Sequence, residues 1–148
     1  MESLVPWITR FVHVAAAAVW VGGFGALALV IIPALRRAPN PALTEVAGGV
    51  VRILSFCSIL TILAGFALIE ATRGFLSMFR GEWGGTILVS ILASVVIAGL
   101  GDGAVGPNIR KSAEDPARLQ RAQRFATIAL VISVLTIALM TRALYARP

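Results

Sequence analysis

Four long apolar segments constrain the fold of this chain more than any other feature of its sequence. They span residues 11–35, 53–69, 83–100 and 125–140. A helix that crosses the hydrocarbon core of a bilayer needs about 17–25 mostly apolar residues, a length that each segment reaches once its flanks are included. None of the four alternates strictly between polar and apolar residues, as the strands of a membrane β-barrel do. The sequence therefore predicts four transmembrane α-helices.

The composition is not that of a soluble globular protein. Hydrophobic residues make up 58% of the 148 residues, charged residues make up 14%, and the mean hydropathy is +0.90. Soluble domains contain about 45–50% apolar and about 25% charged residues, and a chain of this size cannot hide so large an apolar excess from water. We predict an all-α integral membrane protein, a single domain over residues 1–148 that folds as a four-transmembrane-helix antiparallel bundle. Its helices are expected at approximately 5–36, 50–72, 83–105 and 116–145.

Two pairs of residues mark helix starts. Asn40 followed by Pro41, and Asp115 followed by Pro116, each combine a capping side chain with a proline suited to the first turn. The second helix can therefore begin near Pro41 and lie along the interface before it enters the bilayer. The first apolar segment has 25 residues, longer than the ~7–15 apolar residues of a signal peptide, so we expect it to be retained as the first helix.

The distribution of Lys and Arg predicts the orientation. Eight of these residues flank the loops between helices 1 and 2 and between helices 3 and 4, and five lie on the opposite side. Basic residues favour the cytoplasmic side, so both termini are expected outside, in a plasma membrane of bacterial type. The eight are Arg36, Arg37, Arg52, Arg110, Lys111, Arg118, Arg121 and Arg124. The five are Arg10, Arg73, Arg80, Arg142 and Arg147.

The net charge of +6 is also explained by Lys and Arg residues that flank the membrane segments. In a soluble protein this charge would suggest nucleic-acid binding, but the chain has no nucleic-acid-binding motif and no aromatic residues interleaved with its basic ones. We expect these side chains to contact the lipid bilayer and no nucleic acid. Arg118, Arg121 and Arg124 share one face of the fourth helix at the level of the headgroups, where they serve as a solvated anchor or as a contact for anionic lipid or a partner.

His13 is the first candidate for chemistry, because it is the only imidazole in the chain and the only ionisable side chain of the first apolar segment. Polar groups within a bilayer need a partner or a function. A neutral imidazole ligates copper or haem iron through one ring nitrogen; the alternative is a His that hydrogen-bonds a neighbouring helix. Trp20 follows seven residues later, close to two turns, and so shares the face of His13.

Two methionines are candidate partners of this imidazole. With both termini outside, Met78 and Met140 fall on the same side of the membrane as His13, whereas Cys57 falls towards the inner side. Thioethers and imidazole suit copper, and His with Met is also a haem axial pair. A single Cys and a single His exclude a closed Cys/His zinc site and an intramolecular disulfide.

Small and hydroxyl residues form stripes along the second and third helices. Such residues let helices approach closely and hydrogen-bond to one another, within the bundle, against a membrane-protein partner or against a second copy. The alternative is a path for a substrate or for protons. The stripes consist of Thr86, Ser90, Ser94 and Asp102 on the third helix and of Ser55, Ser58, Thr61 and Gly65 on the second.

No pattern in the sequence indicates catalysis. Gly101, Gly103 and Gly106 have the spacing of a dinucleotide-binding motif, but that motif follows a strand, whereas these glycines follow a membrane helix. The chain has no recognisable catalytic triad, paired carboxylates or P-loop, which favours a function other than catalysis.

The first helix resembles that of a known family. His13, Trp20, the run Val-Gly-Gly-Phe at 21–24 and the run Pro-Ala-Leu-Arg-Arg at 33–37 resemble the opening helix of the copper-resistance D (CopD-like) membrane proteins. They are also similar to the HemJ-type protoporphyrinogen oxidases, small four-helix haem proteins. The resemblance implies that His13 ligates copper or haem b, with Trp20, Gly22 and Gly23 packed around it.

Three functions follow from this resemblance and the composition. The first is a CopD-like protein that handles copper near the outer membrane face, with His13 as ligand and Met140 and Met78 assisting. The second is a b-type haem protein with redox or porphyrin chemistry; HemJ-type proteins pair the His with a Lys of the third helix, and residues 83–100 contain no Lys. The third is a structural accessory subunit of a larger membrane complex.

Overall fold

The computed structural model describes residues 4–143 and residue 145, and the described part of the chain is helical, without strands. All four long helices have the length and hydropathy needed to cross a membrane. The protein is therefore an all-α, four-helix membrane bundle, as the sequence predicts. The helices are α1 (Leu4–Arg37), α2 (Pro41–Thr72), α3 (Gly81–Arg110) and α4 (Ala117–Ala143).

The two pairs of capping residues begin α2 and α4. The Asn40 side-chain oxygen accepts hydrogen bonds from the backbone N–H groups of Ala42 at 2.9 Å and Leu43 at 3.3 Å, so α2 begins at Pro41 rather than at residue 50. At α4, Asp115 accepts from the backbone N–H of Ala117 at 2.9 Å.

Two other helix ends differ from the expected bounds or lie past the described residues. α3 continues to Arg110 rather than ending at 105. α4 ends at Ala143 and residue 145 lies in a turn, whereas the sequence predicts that the helix continues to 145; residue 144 and Arg147 lie outside the described residues.

The four helices form two antiparallel hairpins. α1 packs mainly against α2, and α3 packs mainly against α4. We call the end that holds residues 38–40 and 111–116 the hairpin end, and the opposite end, where α1 begins and α4 finishes, the terminal end. At the hairpin end Arg36 donates to Gln123, and at the terminal end Arg142 forms an ion pair with Glu82 at 2.6 Å. The terminal end also holds a short 3-10 helix, Phe75–Phe79.

The hydrophobic core has one cluster at each end. The larger cluster extends from the middle of the bundle to the hairpin end, where bulky side chains of α1 pack against α4 residues without a long side chain. Close packing of this kind brings the two hairpins together. The bulky residues include Phe24, Leu27, Ile32 and Leu35, and the small ones are Ala122, Ala126 and Ala129. The smaller cluster at the terminal end is formed by Ile69, Met78 and Ile87 together with Phe66, Trp83, Ile91 and Met140.

α1 and α3 each contain a π-helical segment shortly before a proline. The segments are Leu27–Ile31 and Gly101–Val105, and Pro33 and Pro107 each follow two residues after them. In a π-helix each N–H bonds the carbonyl five residues earlier, and proline has no N–H to offer. Each proline therefore leaves one carbonyl of the π segment without its backbone donor.

The carbonyl released in α1 belongs to Ala28. The N–H of Ile32 bonds to the carbonyl of Leu27, and the next donor in register would be Pro33. The side chain of Gln123 on α4 replaces it and donates to the Ala28 carbonyl at 3.2 Å. Gln123 thus links the two hairpins through a backbone group that only the π segment makes available.

The two hairpins repeat each other in sequence as well as in structure. Residues 33–37 (Pro-Ala-Leu-Arg-Arg) correspond to 107–111 (Pro-Asn-Ile-Arg-Lys), and residues 58–62 (Ser-Ile-Leu-Thr-Ile) correspond to 133–137 (Ser-Val-Leu-Thr-Ile). Burial repeats too, since Ser58 and its counterpart Ser133 are both 3% exposed. The second hairpin therefore resembles the first in these segments and in the π segment before each proline, and its helices follow one another in the same order.

Candidate metal centre

His13 lies on the face of α1 that contacts α2. Its Nδ1 atom is 2.8 Å from the backbone carbonyl oxygen of Thr61. Because a carbonyl oxygen only accepts, Nδ1 carries the proton and donates this hydrogen bond. In a neutral imidazole the other nitrogen, Nε2, then has a free lone pair. The contact with α2 therefore selects the tautomer in which Nε2 can bind a ligand.

Gly65, one turn beyond Thr61, lets the imidazole approach α2 closely. A Cβ atom at Gly65 would lie 3.2 Å from Cε1 and 3.4 Å from Nδ1 of His13. No other atom of the ring, Nε2 included, would lie within 4 Å of it. The ring thus presents its Nδ1–Cε1 edge to α2, and Nε2 is outside this tight contact.

The hydroxyl of Thr61 is a second polar group at the same place. Thr61 is 6% exposed, and its Oγ1 atom has no hydrogen-bond partner among the described residues. Its counterpart Thr136 behaves as membrane-helix threonines usually do, since its hydroxyl donates to the carbonyl of Ile132 at 2.8 Å. Burial of an unpaired hydroxyl is unfavourable, and Thr61 is a residue whose carbonyl accepts a hydrogen bond from His13 while its hydroxyl has no partner among the described residues.

The two methionines lie at the same end of the bundle as His13. Met78, in the 3-10 helix, is buried, and Met140 on α4 packs against the same cluster together with Phe66. Phe66 is adjacent to Gly65, and consecutive helical residues point about 100° apart. The cluster that contains the two methionines therefore meets α2 at a residue next to the one that the imidazole contacts, and on a different face of the helix.

The residues expected to pack around His13 lie nearer the middle of the bundle. Trp20 is 4% exposed and packs against Phe24, with ring centroids 6.4 Å apart. A Cβ at Gly23 would overlap the side chain of Leu54, whereas one at Gly22 would meet nothing within 4 Å. In this structure Trp20 and Gly23 pack α1 against α2.

The polar stripe of α3 is satisfied within its own helix for most of its length. The hydroxyls of Thr86, Ser90 and Ser94 each donate to the carbonyl four residues earlier, at 2.8–2.9 Å. Thr86 and Ser90 are buried, as residues at a helix interface are. Asp102 differs, because it accepts a hydrogen bond from Ser55 of α2.

Cys57 is a buried free thiol, 8% exposed. Within residues 4–143 and 145, no three side chains of the His, Cys, Asp and Glu types are grouped as they would be around a metal ion. A site at His13 therefore needs thioether, hydroxyl or exogenous ligands.

Sequence reasoning selected His13 but missed the contacts that define its chemistry. The sequence places Thr61 and Gly65 in a stripe on the second helix and gives no indication that they face the imidazole. Their spacing of four residues, which places both on one face, is the signal that could have paired them with the only ionisable residue of the first helix. Comparison of the chain with protein-family models, curated proteins and solved structures finds no match.

Proposed function

We propose that this chain is a membrane protein that handles copper near one face of the bilayer, with Nε2 of His13 as the nitrogen ligand. One observation carries the proposal: the 2.8 Å hydrogen bond from Nδ1 to the Thr61 carbonyl. Histidines that bind metals almost always donate their other ring N–H to a carbonyl or a carboxylate, which fixes the ring and raises its basicity. His13 has this arrangement.

The ligand types available at the terminal end favour copper over harder metals. Imidazole and thioether groups suit copper, and thioethers in particular suit Cu(I). In this proposal Met140 and Met78, at the same end of the bundle as His13, supply thioethers, and Thr61 supplies a hydroxyl without a partner among the described residues. In our proposal copper is the ion that the protein handles rather than a permanent cofactor, and His13 is the ligand that copper binding requires.

The proposed location is the outer face of a bacterial-type plasma membrane. Its support is the excess of Lys and Arg at the hairpin end, eight residues against five at the terminal end, because basic flanks favour the cytoplasm. His13, in the half of α1 nearer the terminal end, would then be reached from outside.

The experiment is a Cu(I) competition titration of the purified protein in detergent, with metal content measured in parallel. The informative variant is His13→Asn, since the Asn amide can still donate to the Thr61 carbonyl but has no counterpart of Nε2. Loss of a ligand costs more than loss of its hydrogen-bond partner, which typically costs about 10–100-fold in metal affinity, so we expect at least a tenfold loss. Retention of the wild-type affinity by His13→Asn would overturn the assignment.

A matched pair of variants tests the free hydroxyl. Thr61→Ala removes Oγ1 beside His13, and Thr136→Ala removes the corresponding hydroxyl of the second hairpin, which is already paired. We expect weaker copper binding for Thr61→Ala alone. Equal affinities for the two variants would show that the Thr61 hydroxyl does not contribute.

The visible spectrum of the purified protein separates the alternatives. A colourless protein that binds Cu(I) supports the proposal. A Soret band that disappears in His13→Asn would replace it with a b-type haem protein. A protein that binds neither, and that co-purifies with larger membrane subunits, would indicate an accessory subunit.

A further inference from the structure

A second polar site lies towards the hairpin end, where α1, α2 and α3 meet. A partly open cavity of about 10 Å³ there is lined by the polar side chains of Ser55, Ser58 and Asp102, the last of them exposed, and by apolar side chains that include Trp20 and Phe24. This volume is close to the minimum that holds one water molecule. The cavity therefore accommodates a single small species in contact with a carboxylate inside a membrane-spanning helix.

The hydrogen bonds around the cavity leave oxygen lone pairs without a donor. The hydroxyl of Ser55 has one proton but two acceptors, the carboxylate of Asp102 and the Val51 carbonyl at 3.0 Å. When the proton is donated to Val51, the Ser55 and Asp102 oxygens face each other as two acceptors. The Ser58 hydroxyl donates to the Ser55 carbonyl at 2.8 Å, so its own oxygen also has free lone pairs.

The backbone carbonyl of Asp102 also lacks a hydrogen-bond donor from its own helix. The N–H of Gly106 bonds to the Gly101 carbonyl, and the next donor in register would be Pro107, which has no N–H. In the first hairpin the corresponding carbonyl is satisfied by Gln123. The residue that corresponds to Gln123 is Gly48, which has no side chain. The π segment of α3 thus carries a carboxylate beside a backbone carbonyl that lacks the side-chain donor present in the first hairpin.

Basic side chains do not neutralise Asp102. In the described part of the chain, the only ion pair joins Arg142 and Glu82 at the terminal end. Arg110 is the nearest basic residue along α3, and its Nη1 atom lies against Gly106, 3.2 Å from where a Cβ would be. A carboxylate in a membrane span needs a counter-charge. The neighbouring groups of Asp102 are hydroxyl and carbonyl oxygens, which do not supply one.

We propose that Asp102, Ser55 and Ser58 bind a monovalent hard cation of about the size of Na⁺. Carboxylate, hydroxyl and carbonyl oxygens are ligands for hard cations. A single carboxylate balances a single positive charge, whereas a divalent ion would leave a net positive charge within a membrane-spanning helix, which is unfavourable. When Ser55 donates its proton to the Val51 carbonyl, the cation lies between the Ser55 and Asp102 oxygens, and both oxygens coordinate it with their lone pairs. This site is independent of His13 and of copper.

The test is equilibrium binding of radiolabelled Na⁺ to the purified full chain, with choline chloride replacing NaCl at constant ionic strength. We expect one Na⁺ per chain in the wild type, loss of binding in Asp102→Asn, and unchanged binding in Glu114→Gln, whose carboxylate is exposed in the hairpin-end loop. Absence of saturable Na⁺ binding by the wild type would overturn the proposal.

A second measurement keeps the proposal testable when Asp102→Asn does not fold. Dicyclohexylcarbodiimide modifies membrane carboxyl groups, and mass spectrometry of the peptide containing Asp102 reports the rate. Na⁺ at ten times its dissociation constant should slow this modification about tenfold relative to choline, and the protection should fall in Ser55→Ala. Equal rates in Na⁺ and choline at constant pH would overturn the site.

Discussion

Replacement of Gly84 by Ala tests how closely the 3-10 helix that contains Met78 packs against α3. A Cβ atom at Gly84 would lie 2.6 Å from the carbonyl oxygens of Ser77 and Met78 and 2.7 Å from the Met78 carbonyl carbon. Close C···O contacts in proteins are about 3.3–3.6 Å, so the two backbones must separate by roughly 0.7 Å. The clashing atoms are backbone and cannot rotate away. The whole 3-10 helix, Phe75–Phe79, therefore has to move.

The expected cost follows from this displacement. Overpacking that forces backbone shifts costs about 1–3 kcal/mol, and for a chain of about 150 residues each kcal/mol changes the Tm by about 2–4 °C. Gly84→Ala should therefore lower the Tm by several degrees. Gly99→Ala is the matched control, because a Cβ at Gly99 of the same helix would meet nothing within 4 Å. Its Tm should stay the same or rise slightly, since Ala favours the helix over Gly by about 1 kcal/mol.

The chain contains a suitable reporter for this comparison. Cys57 is the only cysteine of the sequence and is 8% exposed, so a maleimide dye that fluoresces on reaction reports unfolding during a temperature ramp in detergent. Gly84→Ala should also bind Cu(I) more weakly when the Met78 thioether assists His13. Identical melting curves for Gly84→Ala and Gly99→Ala would refute the steric argument.

Three further perturbations have distinct expected outcomes. Gln123→Leu leaves the Ala28 carbonyl without its donor and also removes the acceptor of Arg36; an unsatisfied buried acceptor costs about 1–3 kcal/mol, which the same thermal assay should detect as a lower Tm, and an unchanged Tm would show that neither bond contributes. Glu82→Gln breaks the ion pair between Glu82 and Arg142, whose side chains are 47% and 71% exposed, respectively. Because exposed ion pairs contribute about 0–1 kcal/mol, we expect a small change in Tm, and a large loss would contradict this interpretation. A cysteine introduced at 111–115, in a background without the native thiol, should react with an impermeant maleimide only after the membrane is permeabilised; labelling of intact cells would reverse the proposed orientation.

The features that sequence reasoning predicted are those encoded locally. The four spans follow from hydropathy, and the starts of α2 and α4 follow from Asn40 and Asp115, whose side chains cap the backbone a few residues away. The expected start at residue 50 considered only the apolar part of the helix. The cap and the proline extend α2 back to Pro41, into the less hydrophobic residues 41–49.

The features that sequence reasoning missed depend on contacts between distant residues. Pro33 alone signals a perturbed helix, but only Gln123, on another helix, shows which carbonyl is released and how it is satisfied. The sequence predicts that His13 either binds a metal or hydrogen-bonds a neighbouring helix. The structure shows that hydrogen bond at Nδ1 and leaves Nε2 available, so the two alternatives are compatible.

The resemblance between the two hairpins gives this protein an internal control for the depth of a residue in the membrane. A unit that crosses the bilayer twice keeps its orientation when it is repeated, so corresponding residues of the two copies lie at matching distances from the same membrane face. His13 corresponds to Ile87, and Gly65, which lies against the imidazole, corresponds to Met140. The double variant His13→Ile with Ile87→His moves the imidazole from the first hairpin to the second. The imidazole then stays at the same depth in the membrane, but its neighbour changes from Gly65 to the thioether of Met140. Any difference in its chemistry would then report on its neighbours rather than on the lipid around it.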